Sequence, residues 1–121
     1  MARIRVGLLD STRFMVGTLP MPKFADQEKT QIATDRDNGQ PLYTVTVFLM
    51  EDERAEAMKI TVPKGGLPDG LMPGVAVRPV DLFATPWARI FNGQLSDGIA
   101  YRAGSLELAA PVVPDAGEMA A

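Results

Sequence analysis

The chain of 121 residues contains no histidine and no cysteine. Without histidine it lacks the side chain that most often serves as general acid, general base or metal ligand near neutral pH. Without cysteine it has no disulfide framework, thiol nucleophile or thiolate-bound zinc. Ser-His-Asp catalysis and histidine-rich metal sites are excluded outright, and no carboxylate pair stands at a spacing that reads as an acid–base couple. No catalytic residue, metal, cofactor or small-molecule substrate is therefore expected, and the chain is not read as an enzyme. Long apolar runs are missing too; nothing approaches the roughly 20 residues a spanning helix needs. The N-terminal Met1-Ala2-Arg3-Ile4-Arg5 has cations, but Asp10 and Arg13 interrupt any apolar stretch after it, which is not the pattern of a signal peptide. No membrane contact is expected, and the expected compartment is the cytoplasm. A basic excess is also absent: the net charge is −3, whereas nucleic-acid binders usually leave a basic footprint. The charge is unevenly spread, however. Residues 58–105 hold Lys59, Lys64, Arg78, Arg89 and Arg102 against Asp69, Asp81 and Asp97.

What is present is a β-forming pattern, with 46% hydrophobic residues, enough for a globular domain. Leu42 to Met50 (LYTVTVFLM) is the strongest strand. Tyr43, Val45, Val47 and Leu49 share one face; Leu42, Thr44, Thr46, Phe48 and Met50 share the other. Met58 to Val62 alternates as well, with Met58, Ile60 and Val62 inward, and predicts an antiparallel partner. Residues 51–57 (EDERAEA) between them are rich in helix formers and predict one or two helical turns. Residues 4–21 read as one bent or interrupted strand, or a hairpin, with Gly17 marking a bend. Residues 22–41 form a long polar connection. Within it Asp35 to Gly39 reads as a turn, because Gly39 stands where a calcium loop needs its third ligand. Pro63 to Gly70 reads as a flexible connection. Leu71-Met72-Pro73-Gly74 launches a strand through Phe83, with Pro79 implying an edge or a bulge. Thr85 to Phe91 reads as an aromatic loop, with turns at Asn92-Gly93 and Asp97-Gly98, and Ile99 to Leu108 as the last strand. The boundaries are a domain at 1–110 and a disordered tail at 111–121, which holds Pro111 and Pro114. Val45, Val47, Ile60, Val62, Val77 and Ile99 are the expected core. Five or six β-segments with no long helix predict an all-β barrel or sandwich.

The order of these segments carries a resemblance. A bent first strand, a long hairpin at 42–62 and Leu-Met-Pro-Gly-x-x-Val at 71–77 come first. An aromatic loop with Trp87 and Gly98 and a final strand Ile99 to Leu108 follow. This resembles the OB-fold, and in particular the single-stranded DNA-binding proteins. There a leucine-x-x-glycine-x-x-valine entry to the fourth strand is followed by a tryptophan and a glycine-tyrosine final strand. Thr34 to Tyr43, with Pro86-Trp87-Ala88 and Tyr101-Arg102-Ala103, is similar to small OB-like proteins of actinobacterial plasmids and integrative elements. The resemblance covers roughly residues 12–109. It implies a five-stranded OB-like Greek-key barrel with a long hairpin between its second and third strands. It also implies binding of single-stranded DNA, in replication or transfer of a mobile element.

Binding of that kind needs cations along a groove and exposed aromatic faces for base stacking. Trp87, Phe91 and Phe48 are the candidate stacking residues. Lys59, Arg89, Arg102 and Arg36 are the candidate cations. Against them stands the tendency of aromatics in a small barrel to be core and of single cations to be solvated. Tyr43, on the face of Val45 and Val47, is expected in the core. A homo-oligomer, dimer or tetramer, is expected to pair through the edge that Pro79 leaves poorly protected. The alternative is an OB-like protein-interaction or assembly module without nucleic-acid contact, which the acidic pI of 4.8 favours.

Overall fold

The computed structural model describes residues 3–26 and 28–109; the expected tail at 111–121 lies outside them. Among the described residues the chain is all-β apart from one 3-10 turn at Lys64–Gly66. The strands are β1 (Ile4–Arg5), β2 (Arg13–Val16), β3 (Met21–Pro22), β4 (Leu42–Glu51) and β5 (Arg54–Pro63), then β6 (Ala76–Val80), β7 (Phe83–Phe91), β8 (Gln94–Arg102) and β9 (Ser105–Leu108). They form one open sheet in the order β1-β7-β8-β5-β4-β2-β6-β9, with β3 also on β4. Every pairing is antiparallel except β5–β8.

The β4–β5 hairpin dominates. Its register runs without a break from Leu42↔Pro63 to Glu51↔Arg54, closed by Asp52-Glu53, with Asp52 at φ 41°. Residues 51–57 are thus turn and strand rather than helical turns: pairing with β4 along its length outweighs their helix propensity. Alternation sends Val45, Val47, Ile60 and Val62 inward, and all four are fully buried. Phe14 and Val16 of β2, Val77 of β6, and Leu71, Leu82, Ala103 and Leu106 complete the core.

Three expectations outside the β7–β8 hairpin differ from the structure. Residues 4–21 are not one strand or a hairpin: β1 pairs with β7, far away in sequence, while β2 pairs with β4 and β6. Pro79 is not on an edge strand, since β6 lies between β2 and β9. Its missing N–H costs nothing on the β2 side because that ladder stops at Val77. Arg78 closes the same side by donating to the carbonyls of Leu9 and Thr12. The connection after β5 is not a loose tether. A Cβ on Gly66 would lie 2.3 Å from the Gly104 carbonyl oxygen and 2.8 Å from Ser105 Cα. Both are backbone atoms that cannot swing aside. Gly66→Ala is therefore expected to cost about 1–3 kcal/mol, the usual range for forced overpacking; chemical denaturation measures it, and an unchanged midpoint would show that the turn yields freely.

The second half differs more. Residues 85–91 are not a loop, and Asp97-Gly98 is not a turn. Phe83↔Arg102 through Phe91↔Gln94 form a continuous hairpin, turned at Asn92-Gly93 with φ of 50° and 76°, as a type I′ turn requires. Pro86 fits inside β7 because β1 pairs only with Phe83 and Ala84, so the flank of β7 beside Pro86 has no ladder to break. Beyond the parallel contact Ile60↔Tyr101 and Thr61↔Arg102, the β7–β8 hairpin diverges from β5. Ile99 sits on this diverging part and is exposed rather than core. The chain then changes neighbour within two residues: Ala103 N–H donates to Thr61 O on β5, and Gly104 N–H to Val80 O on β6.

Candidate nucleic-acid interface

Register alone brings most of the candidate residues to one face of the sheet. Directly paired residues point to the same side, and every second residue follows. Thr44↔Thr61, Thr61↔Arg102, Arg102↔Phe83 and Phe83↔Arg5 make a row across β4, β5, β8, β7 and β1. Four inter-strand steps make it about 19 Å wide. Stepping by two along the strands adds Lys59 and Phe48 at the β4–β5 end, and Trp87, Arg89 and Phe91 on the hairpin. Six of the seven candidates thus share this face. Arg36 does not lie in the sheet; it is exposed in the turn after Asp35.

The same face holds no acid at any strand position of β4, β5, β7 or β8. Its remaining members are Leu42, Thr46, Met50, Ala55, Ala57 and Pro63 on one hairpin and Thr85, Gln94, Ser96, Gly98 and Ala100 on the other. The strand carboxylates Glu51, Glu56 and Asp97 all fall on the opposite face. On β4, β5, β7 and β8 the carboxylates thus lie on one side with Arg54, and Lys59, Arg89 and Arg102 lie on the other.

Aromatic and cationic groups alternate closely on this surface. The guanidinium of Arg89 lies 5.2 Å from the centre of the Trp87 ring. Arg3 and Arg5 lie 4.1 Å and 4.8 Å from the centre of Phe83. Each contact is worth about 0.5–1 kcal/mol at an exposed site. Arg3, Arg5 and Phe83 did not stand out in the sequence. Only the long-range β1–β7 pairing brings them together. The rings of Trp87 and Phe48 each lie close against a glycine, Gly98 on β8 and Gly17 just past the end of β2. A Cβ on Gly98 would meet the Trp87 indole at 2.8 Å, and one on Gly17 would meet Phe48 Cε2 at 2.8 Å. Glycine inside a strand opposite an aromatic was the available clue to Trp87.

Arg102 is a special case. Its guanidinium donates to the carboxylate of Asp35, which is buried with 4% of its surface exposed. Asp35 also accepts from the Asp37 N–H at 2.8 Å. That amide first, and the Arg102 charge with it, hold the Asp35 carboxyl below the ordinary aspartate value, against the upward push of burial. A depressed folded value means that this stabilisation is present above the ordinary aspartate range and is lost as pH falls through the depressed value. The pair anchors the 36–39 turn to β8, and Asp35 already balances the Arg102 charge. Arg5 is paired less tightly, at 3.2 Å to Asp81 with both side chains largely exposed, an arrangement easily exchanged. Tyr43, expected in the core, is only half-buried.

Among the described residues no group of three or more acidic side chains is placed to hold a metal ion, and no helix is long and apolar enough to cross a membrane. Comparison of the chain with protein-family models, curated proteins and solved structures returns no match.

Proposed function

We propose that the chain is a non-catalytic single-stranded DNA-binding protein, with the β4–β5–β8–β7 face as its binding surface. The observation that carries this reading is the segregation just described: Phe48, Phe83, Trp87 and Phe91 lie with Arg3, Arg5, Lys59 and Arg89 on a surface whose strand positions include no carboxylate. Stacking rings interleaved with cations are what a sequence-tolerant single-strand binder needs. The strand order supports the same reading. If β8, Ala103-Gly104 and β9 are taken as one bent strand, the pairings run β2–β4–β5–β8/β9–β6 and return to β2. That is a circuit of five, the number of strands in an OB barrel. In that fold the face of the second and third strands, with the loops after the first and fourth, binds oligonucleotides. Here those parts are the β4–β5 face, the 17–41 connection and the β7–β8 hairpin.

Trp87 is the only tryptophan, so its emission reports on the surface directly. Its fluorescence should change on adding a polypyrimidine strand in about 20 mM salt, where screening is weak. The log–log salt slope should be shallow, about −3, for four cations at about 0.7 each with Arg102 discounted because Asp35 balances it. No change in emission at low salt would overturn the proposal. The reading left standing would be a protein-interaction module, which the aliphatic side of the same hairpin favours.

A further inference from the structure

The β7–β8 hairpin has a second side. Pro86, Ala88 and Ile90 of β7 and Leu95, Asp97 and Ile99 of β8 point away from the aromatic and cationic face. Ile90, Leu95 and Ile99 are 75%, 68% and 54% exposed, too many large aliphatics on one ridge to be scattered surface residues. The ridge runs into an open, mostly apolar mouth of about 380 Å³ lined by Ile99, Tyr101, Val6, Leu8, Leu49 and Met58, with the Arg54–Glu56 ion pair also at the lining. We propose that ridge and mouth form one surface and that a second copy of this chain occupies it, the two hairpins stacked side on side about a two-fold axis with each Ile90–Leu95 tip over the other copy's mouth.

Size and charge select that occupant. Seven residues of two strands cover roughly 23 Å by 10 Å, a footprint of roughly 230 Å², whereas a stable interface takes about 800 Å² from each side. The ridge alone is too small, so the occupant must also fill the mouth, and it needs a ridge of its own to do so. This chain carries both shapes on one side, which is the self-complementarity a two-fold interface requires. Asp97 is the only charge on the ridge and makes no ion pair among the described residues. A copy brings Arg54, whose exposed 3.0 Å pair with Glu56 can exchange; a hydrocarbon surface brings nothing, and leaving a carboxylate unpaired there is costly. This inference does not depend on the nucleic-acid reading, because the association surface and the binding face are opposite sides of the hairpin.

Sedimentation equilibrium of the full chain tests it. The mass should rise with concentration from 13.0 kDa toward twice that value. Ile90→Ser with Leu95→Ser should raise the dissociation constant at least about 100-fold, the effect of removing two central anchors, with an unchanged circular dichroism spectrum because both side chains are exposed. Phe91→Ser, at the same level but on the other side, should leave association unchanged. A single 13.0 kDa species at about 300 µM, far above the range of specific interfaces, would overturn the proposal. So would association that survives the double variant or is lost equally in Phe91→Ser. A monomer that instead co-floats with phosphatidylcholine vesicles would assign the ridge to lipid and likewise overturn it.

Discussion

Truncation of Phe14 to alanine is expected to remove about 3–5 kcal/mol of folding stability, the largest single effect this fold predicts. Phe14 is 2% exposed. It stands opposite Leu49 on one side and Val77 on the other, so its ring is where β2 ties β4 to β6. It also lines the mouth beside the β7–β8 hairpin. With a urea slope of about 1–3 kcal/mol/M, the denaturation midpoint should fall by at least about 1 M. A loss of that size approaches the whole stability of many domains, so Phe14→Leu is the informative companion: it keeps most of the volume and should cost under about 1.5 kcal/mol. Equal losses in the two variants would mean that shape, not buried volume, is what Phe14 supplies. No loss in either would remove it from the core.

The second large effect concerns the binding face. Trp87→Ala should weaken oligonucleotide binding by about 1–3 kcal/mol and leave the salt slope unchanged, because a stacking contact releases no counterions. Arg3→Ala with Arg5→Ala should do the reverse in kind. The affinity falls most at low salt, and the slope becomes shallower by about 1.4, two cations at about 0.7 each. Arg102→Ala should barely move the slope while lowering stability, since Asp35 loses the partner of its buried carboxylate. The three variants thus separate stacking, charge and structural roles. A slope that drops as much in Arg102→Ala as in the double variant would show that Asp35 releases Arg102 to a phosphate.

How much of this was legible in the sequence depended on how local the cause was. The β4–β5 hairpin was readable because its alternation is strong and its core face is β-branched: Val45, Val47, Ile60 and Val62 are where the pattern put them. The β7–β8 hairpin was misread because Pro86, Asp97 and Gly98 look like punctuation. Pro86 is permitted by a missing neighbour, and Gly98 is required by the indole above it; both causes lie on other strands. Ile99 shows the limit of periodicity. Parity put it on the correct side of the strand, but at that point β8 has left β5, and Ile99 lines an open mouth instead of the closed core. Six of the seven candidates do share one face, and the sequence supported each only singly. What joined them was a register set by pairings as distant as Arg5 with Phe83.

The Asn92-Gly93 turn has a consequence for how this surface could change over evolutionary time. Between Thr85 and Ala100 the hairpin has no ladder partner on either flank, so only the turn and the two ends of the hairpin keep its strands in step. A one-residue insertion at the tip would slide one strand by one position and send its side chains to the opposite side. On β7, Trp87, Arg89 and Phe91 would then trade places with Ala88 and Ile90. Two residues at a hairpin tip thus act as a selector that decides which of two surfaces looks outward, and a length change there would rewire partners without touching the core.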